Sequence, residues 1–226
     1  MCGRYTLTNQ DDVVTDLQVA LDLTAGSEWW RPRFNVAPTQ LAPVVALRDG
    51  VRALEMMRWG LLPFSAASAR HALMINARVE TAFTRPPFRD LAARATTRCL
   101  VPADGFFEWV KRGKQAFPKF IHPEPRRTIA FAGLWAHDSF TILTGPPNEL
   151  VAPIHDRMPI VLPREAWDDW LAPATEVASA RALLRVPATA GWVVEPVSAR
   201  VNSPANDDAA CIAREDEPPP IQGSLF

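Results

Sequence analysis

The sequence predicts an α+β fold, with a mainly antiparallel, barrel-like sheet core and flanking helices in a single domain. Two observations carry that expectation. Between residues 44 and 144 the apolar runs are short and punctuated by Gly, Pro and charged residues, the layout of strands joined by turns. Helical spacing is confined to residues 8–23, a short piece at 88–94, and residues 164–171 and 174–184. Helices interspersed with or following a run of antiparallel strands mark α+β rather than a βαβ series. At 226 residues, 48% hydrophobic and 22% charged, the chain has the composition of a globular protein with a substantial core.

Val13, Leu17 and Leu21 recur every four residues behind Thr8 or Asn9, so residues 8–23 should form a capped amphipathic helix. Apolar residues 44–47 and 51–59 flank Arg48-Asp49-Gly50, a hairpin signal. Strands are expected at 98–110, 117–121, 128–135 and 140–144, and again at 192–197 after the late helices. Neither repeat nor linker interrupts residues 2–210, which are taken as one domain. Residues 211–226 read as a tail: the run Glu215-Asp216-Glu217-Pro218-Pro219-Pro220 should be extended and disordered.

The bulk numbers narrow the function classes. No apolar run approaches the roughly 18 residues needed to cross a bilayer, and the N-terminus lacks a signal-peptide layout. A cytoplasmic protein without a membrane partner is expected. Cys2, Cys99 and Cys211 are widely spaced with no C-x-x-C pair, which argues against a disulfide framework or zinc site. His71, His122 and His137 show no ligand spacing either, so no metal is expected. No glycine-rich phosphate loop appears, so no cofactor is expected. The net charge of -1 hides an uneven distribution: residues 200–226 carry a net of -3 and the rest +2. Any nucleic-acid binding must rest on a local patch.

Chemistry first appears in Met1-Cys2-Gly3-Arg4. Removal of Met1 would leave an α-amine and a thiol on one residue. At pH 7.5 about a quarter of an α-amine is free base, against roughly 0.1% of a Lys amine, so the terminus is the better amine for attack on an aldehyde. The thiol can then close a five-membered thiazolidine. Three other places concentrate polar groups: the string Asn76-Ala77-Arg78-Val79-Glu80-Thr81, Glu108 among the aromatics of 106–109, and Ile154-His155-Asp156-Arg157. An aromatic setting can raise a Glu pKa and fit it to proton transfer. Singly, each has a structural use: Asn76 as a helix cap, Glu108 as an arginine partner, His155 as a satisfied loop histidine. Trp59 reads as core.

In order, Met1-Cys2-Gly3-Arg4, Arg33-Phe34-Asn35-Val36-Ala37-Pro38-Thr39-Gln40, Trp59-Gly60-Leu61-Leu62-Pro63, the string at 76–81, Arg98-Cys99-Leu100-Val101-Pro102-Ala103-Asp104-Gly105-Phe106-Phe107-Glu108-Trp109, Ala132-Gly133-Leu134-Trp135 and Ile154-His155-Asp156-Arg157-Met158-Pro159 closely resemble the SOS-response-associated peptidase (SRAP) family. The resemblance runs from residue 2 to about Asn202. It implies a protein that senses abasic sites in single-stranded DNA and crosslinks to them through Cys2, with associated abasic-site lyase and autopeptidase activity. It further implies that Glu108 moves protons, His155 assists Schiff-base chemistry, and Asn76 holds the Cys2 adduct. Arg4, Arg78 and Arg157 would bind backbone phosphates and Trp109 would shape the DNA path. One-to-one capture calls for no more than a monomer, recruited to the nucleoid at damage. Two departures from the family pattern stand out. Phe64-Ser65-Ala66-Ala67-Ser68 lacks the Trp common after the Trp-Gly-Leu-x-Pro block, and Phe107 replaces a common Tyr.

The tail carries a separate resemblance. Gln222, Leu225 and Phe226 reproduce the Gln-x-x-Leu-Phe peptide with which bacterial proteins bind the β sliding clamp, which makes that clamp a candidate partner. On residues alone three other functions stay open. Met-Cys-Gly also begins N-terminal-nucleophile amidohydrolases, Cys2 with His155 suits a peptidase, and a non-enzymatic single-strand binder needs neither.

Overall fold

The computed structural model describes residues 2–62 and 73–216. In chain order these form β1 (Tyr5–Leu7), α1 (Gln10–Asp16), β2 (Leu21–Asp22), β3 (Arg33–Val36), β4 (Leu41–Arg48), β5 (Val51–Trp59) and β6 (Asn76–Arg78). Next come α2 (Val79–Ala82), α3 (Arg89–Ala93), β7 (Arg98–Ala103), β8 (Gly105–Arg112), β9 (Gln115–Pro123), β10 (Ile129–Ala136) and β11 (Ser139–Gly145). The last are β12 (Met158–Pro159), β13 (Val161–Leu162), α4 (Trp167–Leu171), α5 (Val177–Leu183) and β14 (Trp192–Pro196). The class is α+β with mostly antiparallel pairing, as expected.

One sheet has the order β14-β9-β8-β1-β3 and the other β12-β11-β10-β7-β4-β5-β2, with β13 on β10 and β6 on β11. A parallel pairing of β5 with β11, Arg58 opposite Ser139 and Trp59 opposite Phe140, closes β11-β10-β7-β4-β5 into a ring. That ring is the barrel-like core. Successive residues of its strands face opposite ways. Val44, Ala46, Cys99, Val101, Phe131 and Ile142 therefore join one buried cluster with Tyr5 and Phe106 of the first sheet. Val45, Leu100, Ala130, Ala132 and Leu143 join the other, under Val13, Leu17, Trp167 and Trp170.

The β4–β5 hairpin turns on Asp49 at φ 51° and Gly50 at φ 82°, the two positive-φ positions of a type I′ turn. Three sequence expectations change. The first helix ends at Asp16 rather than 23, because Gln18 takes a φ of 51° and the chain reverses into β2. Leu21, read as the helix's fourth-residue repeat, instead lies opposite Ala53 and is exposed. The single strand expected over 98–110 is two strands in different sheets, broken at Asp104. Beyond residue 210 the packing continues: Cys211 is buried on the 3-10 turn Ala209–Ile212, and Arg214 bridges Val197.

Asp104 is the corner post between the sheets. Its carboxyl oxygens accept from the Thr6 and Thr8 hydroxyls and from the Thr8 amide at 2.7 Å, while its own amide donates to Thr6 O at 2.9 Å. All three side-chain bonds tie β1 and the residue that follows it, Thr8, to the corner. With Asp104 only 1% exposed, Asp104→Ala would strand buried donors and should cost about 3 kcal/mol. Thermal melts should fall by roughly 6–12 °C for a chain of this size; an unchanged melt would show that the corner is not held this way.

Candidate active site

Four of the residues expected to act chemically converge where the two sheets meet. β1 lies between β8 and β3, and the Phe107 amide donates to Arg4 O at 3.0 Å. This pairing draws Cys2 alongside the outer half of β8. Strand alternation decides the faces. Phe106 shares a cluster with Cys2 and Tyr5, whereas Phe107 packs away from them with Phe120 and Val201. Glu108, two residues on from Phe106, therefore faces Cys2's side.

The second sheet delivers the other two residues through β11. Its end pairs in parallel with β6, placing Asn76 opposite Ile142, and antiparallel with β12, placing Met158 opposite Gly145. Asn76 at the head of β6 donates from Nδ2 to Cys2 O at 2.8 Å. Its Oδ1 is buried and has no hydrogen-bond partner among the described residues, so an acceptor stands open beside Cys2. His155 follows a tight turn in which its amide donates to Val151 O at 2.9 Å.

The electrostatics suit proton traffic. Burial pushes the Cys2 thiol far above its ordinary range, and the nearby charge of Glu108 adds to the effect. A buried thiol of this kind needs a base before it can attack. Burial likewise raises Glu108 to about 7, with Asp156's charge contributing. At neutral pH such a carboxyl is divided between acid and base forms, the condition for a proton shuttle. Burial lowers the His155 pKa, keeping the ring neutral. Asp156 Oδ1 stands 2.9 Å from His155 Nδ1.

The expected phosphate ligands are less uniformly placed. Arg78 is exposed at the end of β6. Arg4 donates to Gly3 O at 3.1 Å and to Asn202 O at 3.4 Å, with no carboxylate partner among the described residues. Arg157 is committed within the protein, paired with both Glu80 oxygens at 2.5 and 2.9 Å and donating to Thr144 O. Trp109 lies on the opposite face of β8 from Glu108, and its Nε1 donates to Asn202 Oδ1 at 2.7 Å. Trp59 is fully buried, its Nε1 donating to Ile75 O. Residues 64–68, together with Gln222, Leu225 and Phe226, lie outside the described residues.

Sequence reading missed three participants. Asp156 and Glu80 sat inside quoted polar strings but were given no role. Asn202, which holds both Arg4 and Trp109, is 93 residues from Trp109 and had no local signal. A cavity of about 680 Å³ walled by Trp167, Trp192 and Arg127 contains none of the convergent residues.

The model of the SOS response associated peptidase (SRAP) family matches residues 1–204. The chain belongs to the SRAP family. The abasic site processing protein YoqW of Bacillus subtilis is 35% identical over 225 residues, covering 94% of this chain and 99% of YoqW. The abasic site processing protein YedK of Escherichia coli is 32% identical, covering 94% of this chain and 99% of its own. A solved structure of a Bacteroides thetaiotaomicron protein superposes with a TM-score of 0.78 over 95% of this chain and 100% of that one. At 23% identity it speaks for the fold alone.

Proposed function

We propose that this SRAP protein processes abasic sites in single-stranded DNA by forming a thiazolidine crosslink through Cys2 after Met1 is removed. The observation that carries the reading is the gathering of Cys2, Glu108, Asn76 and His155, with Glu108 poised near neutrality. The sugar at an abasic site is a cyclic hemiacetal. Glu108 in its acid form protonates the ring oxygen as the ring opens to the C1′ aldehyde, and the proton released from the C1′ hydroxyl goes on to the carbinolamine oxygen that leaves as water. The free α-amine of Cys2 adds to C1′, and loss of one water gives the protonated imine. Glu108 as carboxylate then takes the thiol proton while sulfur bonds to C1′, closing the ring. The balance is protein plus DNA minus one water.

Asn76 holds Cys2 O, and its open Oδ1 suits the N–H of the new ring. His155, neutral, supplies a hydrogen-bond donor toward the carbinolamine oxygen that leaves as water and toward the adjoining phosphate. Arg4 and Arg78 take backbone phosphates, and Trp109 with Asn202 forms the wall along which the strand lies. Arg157 braces the His155 turn first and meets phosphate second. The same imine allows β-elimination, which accounts for lyase activity. The protein acts as a monomer. An amidohydrolase or peptidase would share Cys2 and could use the same carboxyl as its base, so a heat-stable adduct with abasic DNA is what separates the readings.

The test is intact-mass spectrometry of Met1-free protein mixed with a single-stranded oligonucleotide bearing one abasic site. A heat-stable one-to-one product lighter than the sum by one water is expected. Absence of any adduct would move the assignment to amide or peptide substrates. We also propose that Gln222, Leu225 and Phe226 dock on the β sliding clamp. Purified clamp should be retained by the full chain and lost when Leu225 and Phe226 are both changed to Ala; equal retention would sink the docking.

A further inference from the structure

We infer that Glu80 is a positioning residue that fixes the tautomer of His155 by way of Arg157. The inference rests on the proposed role of His155 as a donor. Glu80 sits on α2 and Arg157 at the entry to β12, on opposite flanks of β11. Their pairing is bidentate, 2.5 Å from Nη1 to Oε1 and 2.9 Å from Nη2 to Oε2, and Nη2 also donates to Thr144 O at 2.5 Å. A planar fork held at both prongs leaves the arginine little freedom. Its side chain is only 11% exposed, so solvent weakens the pair less than it would at the surface.

What the pair holds is the Arg157 backbone. That residue's amide points at His155 Nδ1, 3.0 Å away. The same Nδ1 lies 2.9 Å from Asp156 Oδ1. An amide only donates and a carboxylate only accepts, so one ring nitrogen cannot satisfy both. If Nδ1 accepts from Arg157, the neutral ring carries its proton on Nε2 and presents a donor there. If Nδ1 donates to Asp156, Nε2 becomes an acceptor and the donor function is lost. A pinned Arg157 amide selects the first state. Releasing Arg157 by removing the Glu80 charge lets Asp156 compete for the ring.

Long-range proton–nitrogen correlation spectra of the His155 imidazole, recorded on Met1-free full-length protein above pH 7.5, read the tautomer directly. The parent should show Nε2–H. Glu80→Gln, at a half-exposed position that tolerates glutamine, should show a mixture with Nδ1–H and crosslink about tenfold more slowly, the scale of one net hydrogen bond. Adding Asp156→Ala to Glu80→Gln removes the competitor and should restore the Nε2–H tautomer, and the double variant should crosslink at the rate of Asp156→Ala alone, the proper reference because Asp156 also acts on Glu108. An unchanged tautomer in Glu80→Gln overturns the inference, as does a double variant that still shows Nδ1–H. If the parent shows Nε2–H yet forms no adduct, the crosslinking reading falls and the tautomer spectra still decide the assignment of Glu80.

Discussion

Cys2→Ala should form no heat-stable adduct with an abasic oligonucleotide, while remaining folded. The reasoning separates the two functional groups of one residue. Alanine is small enough for Met1 to be removed, so the α-amine survives and still condenses with the C1′ aldehyde. Without sulfur the imine has nothing to close onto, and heating hydrolyses it. Borohydride should therefore trap a product with Cys2→Ala that unreduced samples lack. Cys2 is fully buried, so losing its sulfur costs stability on the order of 1 kcal/mol, too little to explain a complete loss. A heat-stable adduct at parental yield from Cys2→Ala would overturn the thiazolidine.

Glu108→Gln should slow crosslinking by roughly 10²–10⁴-fold, the usual worth of a positioned proton-transfer group, and should change the pH profile in a definite direction. In the parent the acid form of Glu108, about 7, and the free base of an α-amine near 8 are needed together. Their product peaks at about pH 7.5 and falls on both sides. Glutamine does not titrate, so the fall on the alkaline side should vanish and the residual rate should climb to a plateau. Stability moves the other way. A carboxyl raised from 4.5 to about 7 on folding binds more protons in the folded state across that window, so the parent loses stability as pH rises through it. By pH 8 the loss is on the order of 2–3 kcal/mol, and Glu108→Gln should escape it. Urea melts at pH 5 and pH 8 measure the difference directly. A variant that reacts at the parental rate, or that melts with the parental pH slope, would remove Glu108 from the centre of the chemistry.

Local features were legible in the sequence and distant ones were not. Asp49-Gly50 announced its hairpin because a type I′ turn depends on two adjacent residues. β1 went unseen: three fully buried residues have no alternation to detect, and their partners Gly105 and Phe106 lie about a hundred positions on. Leu21 misled because a spacing of four fits a helix, and only its pairing with Ala53 shows otherwise. Asn76, Glu108 and His155 each had a structural use taken singly, and with Cys2 they were picked out by the ordered blocks that resemble the family. Their convergence depends on β11 pairing with both β6 and β12, which no single block contains. Trp109 took its expected place on the DNA path from the family resemblance, and strand alternation puts it on the face of β8 opposite Glu108.

The burial of Cys2 also sets a schedule. Its strand finds no place until Gly105 and Phe106 have been made, and the segment that closes over β3 comes later still, with Asn35 Nδ2 donating to Val201 O, Ser203 O and Asn206 O. A ribosome adding about 5–20 residues per second needs on the order of 5–20 s to reach residue 105. During that interval the nascent N-terminus is open to an aminopeptidase. On the crosslinking proposal, an aminopeptidase would thus act on the nascent chain, before Cys2 is enclosed, and any later release of Met1 would fall to the protein's own proposed autopeptidase activity.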